Sequence, residues 1–599
     1  MKVVRDPIHE YIEFSEEERR LIDSPWFQRL RHCAQNGPTR LVYPSLLGTR
    51  FEHSLGVVHL ASRILDSILD SRKCGGRSTV VADFIKTCRR DLRLFLGRDK
   101  RSDESVLADI RHVLRMTALC HDLGHFPLSH TLERAFEGEF WVHAIPKYFP
   151  ARACHEVISA EVVRWIIERK DPALDDWVGR AVILTLLGPS GAAIQRRAGT
   201  IPFAETVFYT LNGIIIGEYD ADRLDYLQRD GYLSGSAFGR FDVERFIDAM
   251  MLVKKGNVYR VLVSSHALST VEAALVERYK LYKWVYLHHK TLFFDEVCRD
   301  VARRAFRKKA TMKRMFSLHQ AAVTSEAAYA KEVLTCLCSS RSKLPPLLLF
   351  PGAAIGLGSG YYKLNADFFI KNDMTHFFDD FWFSLECRRK TVGGAKGPLS
   401  IDTLVERKGC GMTLWKDWSA FEVFFGRCIK EAQSSQELAK AVEGESIELH
   451  GARFLNNLWK RMRDGSFPAT VTERVVARTN AELEKNGVNG LRAMMRVADW
   501  HFFGSLAEKE IVGKTGAPTL LVGHSSLLSK LSGLEGEIPF YMFLVGRAEN
   551  VDAVKACRKK SDDVLTMAAR AFILAIADCF TGTTEVTGAW KDAKRNASQ

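Results

Sequence analysis

Four short segments of the sequence are rich in histidine, aspartate and glutamate, the side chains that bind divalent metals and move protons. They are residues 50–53 (RFEH), 120–125 (CHDLGH), 154–156 (CHE) and 220–226 (DADRLDY). His121 and Asp122 follow a strongly apolar segment, residues 113–120, so they are expected at a buried helix end. Because unpaired charge is costly to bury, these groups need a partner, which a divalent metal would supply. Mixed histidine and carboxylate ligands suit Mn²⁺, Fe²⁺ or Zn²⁺, and a carboxylate-rich site also suits Mg²⁺.

Most of the chain has the three- and four-residue spacing of apolar side chains that is typical of amphipathic helices. The clearest such segments are residues 54–69, 107–119, 157–167, 270–287, 291–305 and 471–486. Strand patterns are few, and the best are residues 258–263, 519–522 and 539–545. The sequence therefore predicts a mainly α fold with a minor β component near the C-terminus.

Composition narrows the class of protein. The chain has 599 residues, of which 46% are hydrophobic and 26% charged, as in an ordinary globular protein and unlike a collagen, a disordered tail or a disulfide miniprotein. No apolar segment reaches the roughly 20 residues that a spanning helix needs, and residues 1–14 have no secretory signal. The 13 cysteines include no CxxC pair, which favours a reducing compartment. We therefore expect a cytoplasmic protein with no membrane partner.

The net charge of +13 is concentrated in two segments. Residues 72–101 contain ten Lys/Arg and three Asp, and residues 301–315 contain seven Lys/Arg and no acid. Two interpretations stay open. The segments could be solvated helical faces, or they could attract nucleic acid or polyphosphate with an affinity that depends on salt.

The chain resembles the HD-domain phosphohydrolases, and among them the deoxynucleoside triphosphate triphosphohydrolases. Five segments match in order and spacing: residues 6–9 (DPIH), 27–31 (FQRLR), 50–56 (RFEHSLG), 118–130 (ALCHDLGHFPLSH) and 222–230 (DRLDYLQRD). The resemblance covers about residues 1–310, with a longer segment than in the family between the first histidine and the His-Asp pair.

This resemblance implies a domain organisation. Residues 1–385 would form an HD phosphohydrolase domain with a helical core and a basic insertion at about 72–105. Residues 386–599 would form a mostly helical C-terminal region with a few strands, acting as an accessory, oligomerisation or regulatory lobe.

The resemblance also implies two groups of reactive side chains. The implied ligands of a divalent metal are His53, His121, Asp122 and Asp222. In the second group, His130 would donate a proton to the leaving group, and Glu133 would adjust the proton affinity of His130. His125 and His155 would hold the attacking water and the phosphates.

Seven substrate contacts follow from the same resemblance: Gln35, Arg50, Arg223, Tyr226, Asp230, Arg278 and Tyr286. The three arginines would hold the triphosphate. Tyr226, paired with Asp230, would pack against C2′ and so prefer deoxyribose. Tyr286 would lie under the sugar or base, and Gln35 would face the 3′-hydroxyl. Leu287 stands where some relatives have a base-contacting glutamine.

Four further residues align with side chains that bind a guanine nucleotide at a subunit interface in the family: Lys2, Asp23, Gln28 and Arg31. The resemblance thus implies a homo-oligomer activated by a nucleotide. Glu10 stands nearby, where the family usually has glycine.

The activity implied is metal-dependent hydrolysis of deoxynucleoside triphosphates to deoxynucleoside and triphosphate, through attack of water on the α-phosphorus. It could serve phage defence by depleting dNTPs. Two alternatives stay open. One is an HD phosphohydrolase or nuclease that acts on single-stranded nucleic acid or a signalling nucleotide. The other is a nucleotide-sensing module that works with a partner protein, which the four intact metal-ligand positions argue against.

Overall fold

The computed structural model describes residues 2–70, 78–97, 101–125, 128–131, 133, 154–168, 172–187, 203–306, 410–434, 469–498, 509–513, 516–532, 540–546 and 550–581. They group into two units that alternate along the chain. The first contains the described residues of Met1–Tyr286, Ala302–Gly393 and Glu508–Ser529, and the second those of Leu287–Val301, Gly394–Ala507 and Lys530–Gln599. The boundary expected between residues 385 and 386 lies outside the described residues.

The first unit is mainly helical. Its helices are α1 (Glu16–Ile22), α2 (Pro25–Gln28), α3 (Arg50–Leu69), α4 (Ser78–Leu96), α5 (Asp103–Cys120), α6 (Cys154–Glu168), α7 (Asp176–Leu187), α8 (Val207–Ile215), α9 (Ala221–Leu233), α10 (Val243–Asp248) and α11 (Leu268–Leu281). A π-helix, Tyr282–Tyr286, extends α11.

Three antiparallel strand pairs complete the first unit. They are β1 (Lys2–Asp6) with β2 (Glu10–Phe14), β3 (Met250–Lys255) with β4 (Val258–Val263), and β7 (Glu510–Val512) with β8 (Pro518–Leu520). A parallel bridge between Ser264 and Val512 joins the β7–β8 pair to the residue that follows β4. The C-terminal segment that contains β7 therefore belongs to the same unit as the chemistry-bearing helices.

The second unit has a three-stranded antiparallel sheet in the order β5-β9-β6. Its strands are β5 (Cys410–Thr413), β6 (Leu491–Val497) and β9 (Phe540–Gly546). Its helices are α13 (Trp418–Ser434), α14 (Ala469–Lys485), α16 (Val551–Lys559) and α17 (Ser561–Thr581), and α12 (His289–Phe306) begins in it. All seven residues of β9 are buried, as expected for the central strand of a covered sheet. Helix α15 (Ser526–Ser532) begins in the first unit.

Side-chain caps fix where the three helices of the candidate site begin. Thr49 and Glu52 form a capping box at the start of α3. Ser102 accepts a hydrogen bond from Ser105 N at the start of α5, and Asp220 accepts one from Arg223 N at the start of α9. Such caps satisfy backbone N–H groups that lack a partner in the first turn. Helix α3 packs against both α5 and α9, so residues from all three helices meet around its buried face.

The prediction of a mainly α fold is confirmed, and a helix occupies each of the six segments predicted to be helical. The strand predicted at residues 258–263 is confirmed, and that at 539–545 is observed as β9. Only part of 519–522 is a strand, because a 3₁₀ turn begins at Leu521. Several short strands had no clear alternating pattern and were not predicted.

The basic segment at about residues 72–105 contains α4 and the start of α5. Four of its five described cations have acidic neighbours: the pairs are Lys86 with Asp83, Arg89 with Asp103, Arg90 with Asp91, and Arg101 with Asp109. Of the second basic segment, residues 307–315 lie outside the described residues.

Within the described part of the chain, no helix combines the length and the apolar character needed to cross a membrane.

Candidate metal centre and active site

The structure brings the four expected metal ligands together around α3. The ligand atoms of His53, His121 and Asp122 all lie within 4.8 Å of one another. His53 Nε2 is 3.8 Å from Asp122 Oδ2 and 2.9 Å from Asp222 Oδ1, and His121 Nε2 is 3.4 Å from Asp122 Oδ1. Three of these side chains are buried, whereas that of Asp222 is 32% exposed. The cluster therefore consists of three buried ligands and one that is partly exposed to solvent.

The hydrogen bonds of the two histidines direct their Nε2 atoms into this cluster. His53 Nδ1 lies 2.7 Å from Asp225 Oδ2, and His121 Nδ1 lies 2.7 Å from the carbonyl oxygen of Ala118. Both partners are acceptors, so Nδ1 is the donor in each ring. The two Nε2 atoms are buried and have no hydrogen-bond partner in the described part of the chain. Imidazoles fixed in this way through Nδ1 are typical of metal ligands.

The charge of His53 supports the same interpretation. Burial disfavours its protonated form, but the adjacent carboxylates of Asp222 and Asp225 outweigh that effect and raise the pKa of His53 to about 10. Without a cation, a proton is therefore held among these carboxylates. A divalent metal would take the place of that proton, as coupling between metal binding and proton release requires. The residues present thus fit a divalent metal.

A buried ion network supports His53 from behind. The Asp225 carboxylate accepts hydrogen bonds from Arg229 Nε and Nη2, each at 2.9 Å, and lies 2.6 Å from His9 Nε2. Arg229 also donates to Asp6 at 2.9 Å. Burial disfavours ionisation of Asp225, but Arg229 outweighs it and holds the pKa well below its usual range.

No role was predicted for this network from the sequence, although its members lie in the matched segments. A signal was present in the spacing of Asp222, Asp225 and Arg229, because steps of three and four residues place side chains on one face of a helix.

A second cluster lies beside the metal ligands. The ligand atoms of His125, His130, Glu133 and His155 are within 4.8 Å of one another. Glu133 is the common acceptor, at 2.8 Å from His130 Nδ1 and 3.0 Å from His155 Nδ1, and it also accepts from His155 N. The rings of His125 and His155 are stacked, with centroids 3.9 Å apart. All four residues expected to be catalytic are therefore adjacent.

The members of this cluster differ in charge and exposure. Although burial disfavours its charged form, Glu133 raises the pKa of His155 to about 9. Burial and the nearby Arg50 lower the pKa of His125 well below its usual range. At neutral pH the cluster thus contains an imidazolium at His155, a carboxylate at Glu133 and a neutral imidazole at His125. The His130 side chain is 52% exposed, so it is the histidine that a bound substrate reaches most readily.

Arg50 links the two clusters. Its Nη1 donates to Asp122 Oδ2 at 2.8 Å and its Nε to Ser129 Oγ at 3.0 Å. Asp122 Oδ1 in turn lies 3.3 Å from His125 Nε2. The Arg50 side chain is buried and paired with Asp122. In this structure the Arg50 guanidinium therefore orients Asp122, an expected metal ligand. The sequence predicted only that Arg50 would bind the triphosphate.

The turn before His130 has a strained backbone. Leu128 and Ser129 have φ of 56° and 50°, a region that non-glycine residues seldom adopt. Ser129 Oγ donates to the carbonyl oxygen of Ala34 at 2.7 Å while it accepts from Arg50, which holds the turn in place. Strain of this kind costs of the order of 1–3 kcal/mol per residue and is common where a catalytic side chain is positioned.

The residues expected to read the sugar and base lie together. The Tyr286 hydroxyl donates to Asp230 Oδ2 at 2.6 Å, and Tyr226 and Tyr286 pack against the same apolar cluster. Burial raises the pKa of Asp230 to about 6. Asp230 Oδ1 and Gln35 Oε1 are buried without a hydrogen-bond partner among the described residues. They are two acceptors that hydroxyl groups of a sugar could satisfy.

Arg223 and Arg278, expected to bind phosphates, lie near each other. Asp220 keeps the pKa of Arg223 above its ordinary value, although burial and the nearby Arg278 act against it. Burial disfavours the charge of Arg278, but the hydroxyl groups of Tyr226 and Tyr282 outweigh that effect and keep its pKa raised. Arg223 Nη1 is 2.9 Å from Asp220 Oδ2, and the Arg278 guanidinium lies 5.4 Å from the centroid of the Tyr282 ring.

The four residues aligned with a nucleotide activator form two contacts. Lys2 Nζ is 3.1 Å from Asp23 Oδ1, and Arg31 Nε donates to Gln28 Oε1 at 2.8 Å. The Arg31 guanidinium also lies 3.5 Å from the centroid of the Phe51 ring. The structure therefore places these side chains in two pairs.

Known proteins are similar to part of this chain. Residues 50–228 match the model of the HD domain family. An uncharacterized protein of Methanocaldococcus jannaschii is 31% identical over 327 residues, 54% of each chain. The deoxynucleoside triphosphate triphosphohydrolase SAMHD1 homolog of Dictyostelium discoideum is 29% identical over 292 residues, 48% of this chain and 46% of that protein.

The deoxynucleoside triphosphate triphosphohydrolase SAMHD1 of Homo sapiens is 26% identical over 317 residues, 51% of this chain and 45% of that protein. The chain thus spans about half the length of the curated relatives it matches. The matched domain includes both clusters described above, whereas Asp230, Arg278 and Tyr286 follow it in the chain.

Proposed function

We propose, from the match of residues 50–228 to the HD domain family, that the protein is a divalent metal-dependent phosphohydrolase that converts deoxynucleoside triphosphates to deoxynucleoside and triphosphate. One observation supports the proposal above all. Two buried imidazole nitrogens, His53 Nε2 and His121 Nε2, face carboxylates without a hydrogen-bond partner among the described residues. The Glu133-centred histidine cluster lies beside them.

The metal would be held by His53, His121, Asp122 and Asp222, whose nitrogen and oxygen atoms suit Mn²⁺, Fe²⁺, Mg²⁺ or Zn²⁺. When bound, such a cation lowers the pKa of its water and offsets charge on phosphoryl oxygens.

The chain's own residues position the reactants and move the proton. His155, protonated at neutral pH, would donate from Nε2 to a phosphate oxygen while Nδ1 is held by Glu133. His130 shares that carboxylate through Nδ1 and exposes Nε2. Burial lowers the pKa of His130, so this ring would take up a proton when the negative charge of the bound phosphates raises its pKa, and would then protonate the leaving 5′-oxygen from Nε2. His125, neutral and buried, would orient the attacking water.

A deoxyribose substrate is favoured by the residues around Asp230. The Tyr286–Asp230 hydrogen bond fixes one carboxylate oxygen and leaves the other as an acceptor for a sugar hydroxyl. Tyr226 packs in the same cluster, where its ring would occupy the space of a 2′-hydroxyl. The phosphates would then extend towards Arg223 and Arg278.

We further propose that the enzyme is a homo-oligomer activated by a guanine nucleotide. Support comes from Lys2, Asp23, Gln28 and Arg31, which can exchange their present pairing for contacts with a nucleotide. Depletion of dNTPs by such an enzyme would restrict DNA synthesis, including that of an infecting phage.

The proposal is tested by incubating the pure protein with Mn²⁺ and each dNTP, alone and with GTP, and separating the products by chromatography. Matched ribonucleotides serve as controls. We expect deoxynucleoside and triphosphate from at least one dNTP, and slower turnover of the ribonucleotides. Release of dNMP, dNDP or nothing from every dNTP would show that the assignment is wrong.

A further inference from the structure

Lys509 is a buried lysine in the C-terminal segment that joins the first unit. It precedes β7, and only 6% of its surface is exposed. Lysine is among the residues that are almost never fully buried unless the charge has a partner. Lys509 lies far beyond the segment that matches the HD domain, so neither the motifs nor the family match assigns it a role.

The ammonium group of Lys509 converges with the Arg223 guanidinium on one acceptor. Lys509 Nζ donates to the carbonyl oxygen of Glu218 at 3.4 Å, and Arg223 Nη1 donates to the same oxygen at 3.2 Å. The position is fixed by the next residue, since Glu510 N donates to Glu218 Oε1 at 2.8 Å and the Glu510 carboxylate pairs with Arg260. These contacts of Glu510 therefore hold Lys509 beside Arg223, which is expected to bind phosphate.

The surroundings of Lys509 are rich in positive charge. Burial, with Arg223 next in effect and Arg278 also contributing, lowers the pKa of Lys509 to about 8. Its Nζ also lies 5.4 Å from the centroid of the Tyr219 ring. Like charges gathered in a partly desolvated place repel one another strongly. An anion that contacts all three cations would remove this repulsion.

The carboxylates near Lys509 do not neutralise its ammonium group completely. The Glu218 carboxylate is directed to Glu510 N and to Arg260, and Asp220 is directed to Arg223. Among the described residues, the one hydrogen bond of Lys509 Nζ is to a backbone carbonyl, although an ammonium group has three donors. Two donors therefore remain for a phosphate oxygen.

We propose that Lys509 is a third phosphate-binding cation of the active site and that it contacts the polyphosphate of the substrate together with Arg223 and Arg278. The assignment rests on the proposed function for the identity of the substrate. It makes Lys509, at the start of the β7–β8 strand pair, a part of the active site that the HD domain alone does not supply.

The test compares Lys509→Met with Lys509→Arg and with Lys86→Met. Methionine keeps the length and apolar stem of the buried side chain, arginine restores the charge, and Lys86 is a control lysine whose side chain is 78% exposed on α4. Binding of inorganic triphosphate to the metal-loaded protein is measured by calorimetry, and KM and kcat are measured with the dNTP that turns over fastest. Metal content and thermal melting show that each variant is folded.

We expect Lys509→Met to weaken triphosphate binding and raise KM about tenfold or more, as loss of a charge-assisted hydrogen bond predicts. The change in kcat should be much smaller, Lys509→Arg should recover part of the affinity, and Lys86→Met should match the wild type. A purely structural lysine would instead change melting and metal content without this recovery by arginine.

The outcomes separate this inference from the proposed function. Unchanged triphosphate affinity and KM in a folded Lys509→Met protein would overturn the role of Lys509 while dNTP hydrolysis stands. Lys509-dependent triphosphate binding without turnover of any dNTP would keep the phosphate site and reject the proposed activity. If the wild type binds no triphosphate at all, the Lys509 assignment is wrong as well.

Discussion

At the scale of residues, the hydrogen bonds made by the Nδ1 protons of four histidines determine which way each ring presents its Nε2 atom. Asp225 and the Ala118 carbonyl fix the Nδ1 protons of His53 and His121, so that both Nε2 atoms face Asp122. Glu133 does the same for His130 and His155. One set of imidazoles is thereby suited to bind a cation and the other to donate protons.

Asp122 is the residue on which both clusters depend. We expect Asp122→Ala to lose bound metal and to reduce dNTP turnover by more than about 100-fold, because even residues that only support a ligand alter metal affinity by 10–100-fold. Metal per chain is measured by elemental analysis together with turnover. Asp66→Ala, which removes an exposed partner of Arg111, is the control and should retain both. Retention of metal and activity by Asp122→Ala would rule out the ligand set.

The His155–Glu133 pair predicts how activity depends on pH. The pKa of His155 is raised from 6.5 to about 9, so its positive charge is present at neutral pH and is lost as the pH rises through 9. The contribution of that charge to the stability of the folded protein is fully present below pH 6.5 and is lost as the pH rises through 9. If His155 donates to phosphate, kcat/KM falls on the alkaline side near pH 9.

The variant Glu133→Gln removes the negative charge that raises this pKa. We expect the alkaline fall in kcat/KM to move to lower pH by about one unit or more, since loss of an adjacent charge typically shifts a pKa by that amount. The measurement is a pH–rate profile of the variant beside the wild type. An unmoved alkaline limb would separate His155 from the pH dependence.

At the scale of elements, the close packing of α3 against α9 explains why Gly56 occupies the turn after His53. A Cβ at Gly56 would lie 1.8 Å from Asp225 Oδ1 and 2.6 Å from Arg229 Nη2. Any side chain there would displace the carboxylate that orients His53.

Two glycine substitutions test this packing. Alanine usually stabilises a helix by about 1 kcal/mol relative to glycine, and Gly213→Ala in α8, where a Cβ meets nothing within 4 Å, should show that gain. We expect Gly56→Ala instead to destabilise the protein and to weaken metal binding. Chemical denaturation and metal titration of both variants provide the comparison. Equal gains in stability would mean that Asp225 is not packed against α3.

Two of the elements that hold the metal ligands could be predicted because their signals are local: apolar spacing indicates α3 and α5 in the sequence alone. The segment that forms α9 was identified only through its resemblance to the family and not as a helix. The β1–β2 hairpin could not be predicted, because its strands have five residues each and the second begins at Glu10, which has φ of 60° although it is not a glycine. The place of Lys509 depends on a contact between distant segments, for which the sequence contains no local pattern.

At the scale of the whole molecule, the two units alternate along the chain, and the match to the HD domain covers only residues 50–228. Both histidine clusters lie inside this range, but Asp230, Arg278 and Tyr286 follow it and Lys509 follows it by a long interval. Substrate specificity is therefore expected to depend on the chain outside the matched domain.

The basic segment around α4 affects the charge of the whole molecule more than the chemistry of the site. Four of its five described cations are paired with Asp83, Asp91, Asp103 and Asp109, which favours a solvated helical face. Surface pairs of this kind contribute little to stability. The described part of this segment thus gives no separate support to a nucleic-acid-binding function.

The proposed reaction is an attack of water on the α-phosphorus of a dNTP at the centre formed by His53, His121, Asp122 and Asp222. It is tested most directly by turnover in ¹⁸O-labelled water with Mn²⁺, followed by mass spectrometry of all products. We predict one ¹⁸O atom in the triphosphate, an unlabelled deoxynucleoside, and no turnover by Asp122→Ala. Label in pyrophosphate, orthophosphate or a deoxynucleotide, or equal turnover by the variant, would contradict the account.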